Sequence, residues 1–180
     1  MEIFLEIQKK KGFLYKIIIF LNEICVRTFF KRITITSRNC GGYVLKPMED
    51  PEVLYSFLQT IDIGDYSPHL NDKESVKKIF KLKSFIPLGV FDKDRLVAYV
   101  LIRLLFTRLA SYFIFVSRDY QKMGIGTNVL RIVLKQIQDF GFFPLSMVDK
   151  KNTASIKMLK KINIKFINEL KNYYVVGGIK

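Results

Sequence analysis

Apolar residues change their spacing repeatedly along this chain, and each change marks an element. Across residues 113–116 they run unbroken as FIFV, short, aromatic and β-branched, which reads as a buried strand. From Ile125 the period becomes three and four. Ile125, Val129, Ile132, Val133, Ile137 and Phe140 then share one helical face, and Gly141 follows as a stop. Between strand and helix stand Gly124 and Gly126, which allow backbone geometry that a Cβ resists. Strand, loop and helix start therefore meet at the two glycines.

The same patterning organises the remainder. Leu14, Ile17, Ile18, Leu21, Ile24 and Cys25 lie at helical spacing, with Lys16, Glu23 and Arg27 interrupting. This stretch is too charged to span a membrane, and no small-residue cleavage site follows it. It is expected to pack on its own domain or a second copy, or to lie on a membrane surface. Residues 39–42, NCGG, read as a linker, dividing an extension over 1–39 from a domain over 40–180.

Residues 43–45 form a first strand that Lys46-Pro47 ends. Asp50 before Pro51 predicts a helix over 51–58, and Asn71 or Asp72 opens a basic helix to about residue 82. The polar loop 61–70, IDIGDYSPHL, lies between them. Strands over 85–91 and 96–106 are joined by Asp92-Lys93-Asp94-Arg95, a hairpin signal. Arg103 inside the second is costly to bury unpaired, so it faces solvent or faces a cleft and binds an acid. Residues 110–116 continue the sheet antiparallel. After the glycine loop and its helix come a strand over 143–148, a helix capped by Asn152, and strands over 162–167 and 172–176.

Composition narrows the classes. A chain of 180 residues with 49% hydrophobic content suits one folded domain. Cys25 and Cys40 match neither a disulfide framework nor a zinc motif, which suggests a reducing, cytoplasmic compartment. His69 is the only histidine, so multi-histidine metal sites are excluded. The net charge of +14 favours polyanions, but Lys is scattered rather than blocked and most aromatics sit in apolar runs, so nucleic acid is not the favoured partner.

Free N–H groups at a helix start make an anion site, and glycines let a phosphate approach the backbone. A tight turn with two glycines remains the plain alternative. A P-loop needs Lys where this chain has Thr127, and a dinucleotide fingerprint needs a third Gly where it has Val129. Gln121, Gly124 and Gly126 do match Arg/Gln-x-x-Gly-x-Gly/Ala, and the loop thereby resembles the acyl-CoA signature of the GNAT acetyltransferase superfamily. Residues 152–166, NTASIKMLKKINIKF, resemble the family's later helix, opened by an Asn, although Asn163 and Ile164 stand where Gly is expected.

The resemblance implies an α/β (α+β) fold: a mixed, mostly antiparallel central sheet with helices on both faces. Two splayed strands would form the acyl-CoA cleft. It implies acetyl-CoA as cosubstrate, no metal, and direct attack by an amine in a ternary complex. The pyrophosphate would rest on the amides of Lys122, Met123, Gly124, Ile125 and Gly126, with Thr127 adding a hydroxyl, Gln121 completing the signature and Asn152 touching the CoA arm. An amide near Phe115 or Val116 would polarise the thioester. Asp65, Tyr66 and His69 in the loop, with Arg103, are candidate acceptor contacts. Relatives carry a Tyr where this chain has Leu159, which leaves solvent, Tyr173 or Tyr174 to protonate the leaving thiolate. The expected activity is N-acetylation of a small-molecule amine, an amino sugar first. A ribosomal or other protein amine is the alternative, or a silent binding module recruited to a membrane or partner.

Overall fold

A computed structural model of the chain describes residues 13–30, 33, 35–61 and 68–179. Its helices are α1 (Phe13–Phe29), α2 (Pro51–Leu58), α3 (Lys73–Lys81), α4 (Ile125–Asp139) and α5 (Thr153–Lys161). Its strands are β1 (Arg38–Asn39), β2 (Val44–Pro47), β3 (Phe85–Asp92), β4 (Arg95–Leu104), β5 (Leu109–Val116), β6 (Phe143–Asp149), β7 (Ile164–Glu169) and β8 (Tyr173–Ile179). They form one sheet in the order β1-β2-β3-β4-β5-β6-β8-β7. Every neighbouring pair is antiparallel except β5 with β6. The expected mixed, mostly antiparallel sheet with helices on both faces is what the chain forms.

Alternation along the strands sends side chains to two cores. Ala110, Tyr112, Ile114 and Val116 of β5, Val148 of β6 and Val176 of β8 join the core under α4 and α5. Tyr99, Leu101, Phe113 and Phe115 join the other, under α2 and α3. Helix α4 contributes Ile125, Val129, Leu130, Val133, Leu134 and Ile137 to the first. Six such residues bury roughly 9–18 kcal/mol of gross hydrophobic stabilisation, an upper bound against a compact unfolded chain. Leu130 and Leu134 join the expected stripe, Ile132 packs against the core half-buried, and Phe140 is exposed.

The helix starts carry the expected caps. Asp50 accepts from the Glu52 amide at 2.8 Å with Pro51 at the first position, and Asp72 accepts from the Ser75 amide at 3.0 Å. Strand β4 stops at Leu104, two residues early, because Leu105 N bonds Leu109 O at 2.8 Å and closes a hairpin through Arg108, whose φ is 58°. Helix α5 ends at Lys161, and Asn163 takes a left-handed φ of 57°, the conformation that glycine, and after it asparagine, adopts most readily at a helix end.

Helix α1 is fastened to one end of the sheet by polar groups. The Asn22 side chain donates to Leu104 O and accepts from Phe106 N, both at 3.0 Å. The Glu23 carboxylate accepts from Lys83 N at 2.7 Å, Ser84 N at 2.9 Å and Arg27 Nε at 2.7 Å. Val26 and Ile35 enter the first core, and Phe30 stacks on Phe142 at 4.9 Å. Burial alone would push the Glu23 carboxyl up. The bonds from Arg27, Ser84 and Lys83 together outweigh it and hold the group below the ordinary glutamate range.

Candidate active site

Strands β5 and β6 pair only at Leu109 with Phe143 and Ala110 with Pro144, then diverge toward their C-terminal ends. One further tie crosses the split, Ser146 Oγ donating to Tyr112 O at 2.8 Å. The ladder on the far side of β5 decides which amides line the opening. Its register runs unbroken from Ala98 opposite Val116 to Leu104 opposite Ala110. Bonds from Ser117 N to Val97 O and Leu105 N to Leu109 O flank it. Hydrogen-bonded pairs alternate in an antiparallel ladder, so Phe113 and Phe115 bond β4, while the N–H and C=O of Ile114 and Val116 face the split. The Tyr112 and Val116 carbonyls, taken by Ser146 and Gln121, belong to the same set. Of the two amides expected to meet a thioester, Val116's faces the opening and Phe115's is engaged in the ladder. Ile114 is a candidate that sequence reasoning missed; only the ladder's phase reveals it.

The glycine loop closes the wide end. Lys122 has φ 64° and Gly124 φ 81°. The left-handed region costs a residue with a Cβ about 1–2 kcal/mol and glycine almost nothing. The first backbone bond of α4 runs from Asn128 N to Gly124 O at 3.0 Å, so the preceding amides, Lys122 to Thr127, are left for a ligand or solvent. A Cβ on Gly124 would meet nothing within 4 Å, so the loop's outer side is open. A Cβ on Gly126 would stand 2.9 Å from Met158 Sδ and 3.7 Å from Val116 Cγ2. The first glycine thus serves the loop's conformation and the second serves packing of α4 on β5 and α5. Gln121 donates to Val116 O at 3.1 Å and braces the strand end. Tyr120 OH donates to Asp92 at 3.1 Å, and Tyr43 OH lies 3.8 Å from Met123 Sδ. Ile125 is buried and Thr127 half-buried in the first turn.

Asn152 caps α5, accepting from Ser155 N at 3.0 Å. On that helix Leu159 is only 4% exposed and belongs to the core, while Met158 faces Gly126. Lys160 Nζ lies 6.0 Å from the Phe166 ring centre.

On the α2/α3 side, extending the β5–β6 register places Phe115 level with Asp149 across the opening, and Asp149 stands directly opposite Tyr173. Asp149 is a second residue missed from the sequence. Strand alternation in PLSMVD was the available signal, since it puts Asp149 on one face with Met147 and Leu145. Its Oδ1 accepts from Lys151 N at 2.8 Å. Tyr174 lies opposite Val148 on the other face, edge-on to Phe166 at 5.4 Å and beneath Lys150 Nζ at 5.3 Å. Only Tyr173 of the two tyrosines therefore shares the Asp149 face.

Arg103 is not brought to the opening. It pairs with Ser111, five rows from Val116 or roughly 16 Å along the strand, with its guanidinium 5.6 Å from the Phe85 ring. The arginine is half-buried against that aromatic, and its Nε is buried with no hydrogen-bond partner among the described residues. Asp65 and Tyr66 lie outside the described residues, and His69 is described only as part of the short helical turn Pro68–Asn71. Tyr99 lies wholly buried at 6.3 Å from Phe113, and burial pushes its phenol well above the ordinary range, so it remains protonated.

No curated protein sequence matches the chain. Solved structures do share its fold. A ribosomal-protein-S5-alanine acetyltransferase from Vibrio fischeri is 11% identical with a TM-score of 0.65, over 81% of this chain and 97% of that one. The GNAT domain of S. lividans PAT is 14% identical with a TM-score of 0.66, over 81% and 95%. A putative phosphinothricin N-acetyltransferase is 16% identical with a TM-score of 0.59, over 76% and 98%. The family model for the acetyltransferase (GNAT) family matches residues 53–163, more than half of the chain and the span that holds the split strands and the glycine loop. The chain therefore belongs to the GNAT acetyltransferase family and is an acetyl-CoA-dependent N-acetyltransferase.

Proposed function

We propose that the protein acetylates a primary amine of a small molecule, an amino sugar first, by direct attack in a ternary complex. The observation that carries this reading is the split between β5 and β6, with the Val116 amide on its edge and Asp149 and Tyr173 together on the α2/α3 face. Acetyl-CoA supplies a thioester carbonyl open to attack. The amides of Lys122 to Gly126 and the Thr127 hydroxyl hold its pyrophosphate, and Asn152 touches the CoA arm while capping α5. The Val116 amide, with Ile114 beside it, donates to the carbonyl oxygen as negative charge develops there. Asp149 accepts the proton that the attacking nitrogen sheds as the C–N bond forms. The C–S bond breaks and the thiolate takes a proton from Tyr173 or from solvent, which a thiol pKa of about 8.5 permits near neutrality. Asp65, Tyr66 and His69, between α2 and α3 in the sequence, are the acceptor contacts this reading calls for. Residues 40–180 carry this chemistry in a cytoplasmic setting, and 1–39, which lends Val26 and Ile35 to the domain's core, adds a docking surface.

A screen of primary amines with acetyl-CoA and a free-thiol readout tests the reading. Amino sugars should release thiol above background. A terminal protein amine is the second reading, favoured by the fold shared with a ribosomal-protein-S5-alanine acetyltransferase and a ribosomal L7/L12 acetyltransferase. Turnover confined to peptides with a free N-terminus would select it. Acetyl-CoA binding by calorimetry with no turnover of any amine would instead support a silent module.

A further inference from the structure

Among the described residues no helix is long and apolar enough to cross a membrane. Helix α1 nevertheless presents apolar residues outward. Its inner face is occupied by Asn22, Glu23 and Val26, all under 9% exposed and bonded to or packed on the sheet. On the opposite side Phe20 is 64% exposed, Leu21 53% and Ile24 43%. These three lie at intervals of one, three and four, one contiguous patch on a helical surface. Folding does not use it, and large exposed apolar clusters mark interaction surfaces.

Charge decides the occupant. Between Glu6 and Glu49 the chain holds nine Lys or Arg and one acid, Glu23. That acid is turned inward onto Lys83 N and Ser84 N. By sequence the segment is therefore basic around an apolar patch, and on the helix itself Lys16 is exposed and Arg27 is exposed beside its Glu23 partner at 2.7 Å. A second copy would bring two such basic surfaces together, which like-charge repulsion opposes. An anionic bilayer offers both complements, acyl chains for Phe20, Leu21 and Ile24 and headgroup phosphates for the lysines and arginines.

We infer that α1 is a pre-folded interfacial helix that seats the enzyme on an anionic membrane surface, with Phe20, Leu21 and Ile24 entering the acyl boundary. Because Asn22 and Glu23 fix α1 on the sheet, the membrane holds the whole domain in one orientation.

The test is sedimentation of the full chain with vesicles of phosphatidylcholine alone or with one third phosphatidylglycerol. Binding to the anionic vesicles should exceed binding to the neutral ones at least tenfold and fall with added salt. The Phe20→Ser/Leu21→Ser/Ile24→Ser variant should lose tenfold or more on anionic vesicles while keeping the wild-type melting temperature. Equal sedimentation of variant and wild type would overturn the proposal, as would equal binding to neutral and anionic vesicles. So would a wild-type dimer that the triple variant converts to monomer without any vesicle binding, since the patch would then serve a second copy.

Discussion

Replacing Glu23 by Ala should unlatch α1, and its bonds set the size of the effect. Three donors converge on the carboxylate, Lys83 N and Arg27 Nε at 2.7 Å and Ser84 N at 2.9 Å. Ser84 is 1% exposed, so its orphaned amide would cost about 1–3 kcal/mol. Lys83 is exposed and Arg27 is 49% exposed, so water replaces much of what they lose and each contributes under about 1 kcal/mol. The sum is about 1–5 kcal/mol, or roughly 2–20 °C in melting temperature for a chain of this size. Urea unfolding measures it directly. Glu23→Gln keeps one acceptor oxygen and should lose about half as much.

Acid gives an independent check with a fixed sign. The folded carboxyl sits below its ordinary value, so its contribution is complete above that value and disappears as pH falls through the lower folded one. Wild type and Glu23→Gln should therefore converge in stability as pH falls through the depressed folded value and separate again toward neutrality. A Glu23→Ala protein within about 0.5 kcal/mol of wild type at pH 7 would refute the latch.

Other substitutions address the site. Gly124→Ala should cost about 1 kcal/mol of stability, because φ is 81°, and weaken acetyl-CoA binding tenfold or more by calorimetry; wild-type affinity would remove the loop from the pyrophosphate site. Leu159→Tyr should destabilise the fold by about 1–3 kcal/mol without raising turnover, since Leu159 is core; raised turnover in that variant would show that the site lacks its own acid. Tyr173→Phe should lower turnover roughly tenfold or more with acetyl-CoA affinity unchanged, and Tyr174→Phe should not; the reverse result would reassign the acid.

Local signals in the chain carried most of the fold. Period-two and period-four runs located the strands and helices, and Asp50, Asp72 and Asn152 marked helix starts through capping chemistry that needs only near neighbours. Ends governed by distant partners were less legible. Strand β1 forms because Arg38 and Asn39 pair with Leu45 and Val44 across what reads as a linker. Ile132 and Leu130 are equally apolar, and only the sheet decides which is covered wholly and which in part. In the site, the glycine loop announces itself because conformation demands glycine there. The phase of the β4–β5 ladder, which puts Val116 rather than Phe115 on the opening, leaves no mark on composition. Glu23 and Arg27 read as interruptions of an apolar stripe, although Glu23 is what fastens it.

The Ser146 bond to Tyr112 O sets a floor to the space between β5 and β6. Above it four residues, Phe113 to Val116, keep an open edge of about 13 Å. If an acyl tail is lowered into the slot, a floor at fixed depth would act as a gauge, stopping a longer tail where a two-carbon one clears. Ser146→Ala would remove the stop without adding bulk and should shift preference from acetyl-CoA toward butyryl-CoA. Competition between the two thioesters reads that shift, and an unchanged ratio would mean that acyl length is sorted elsewhere.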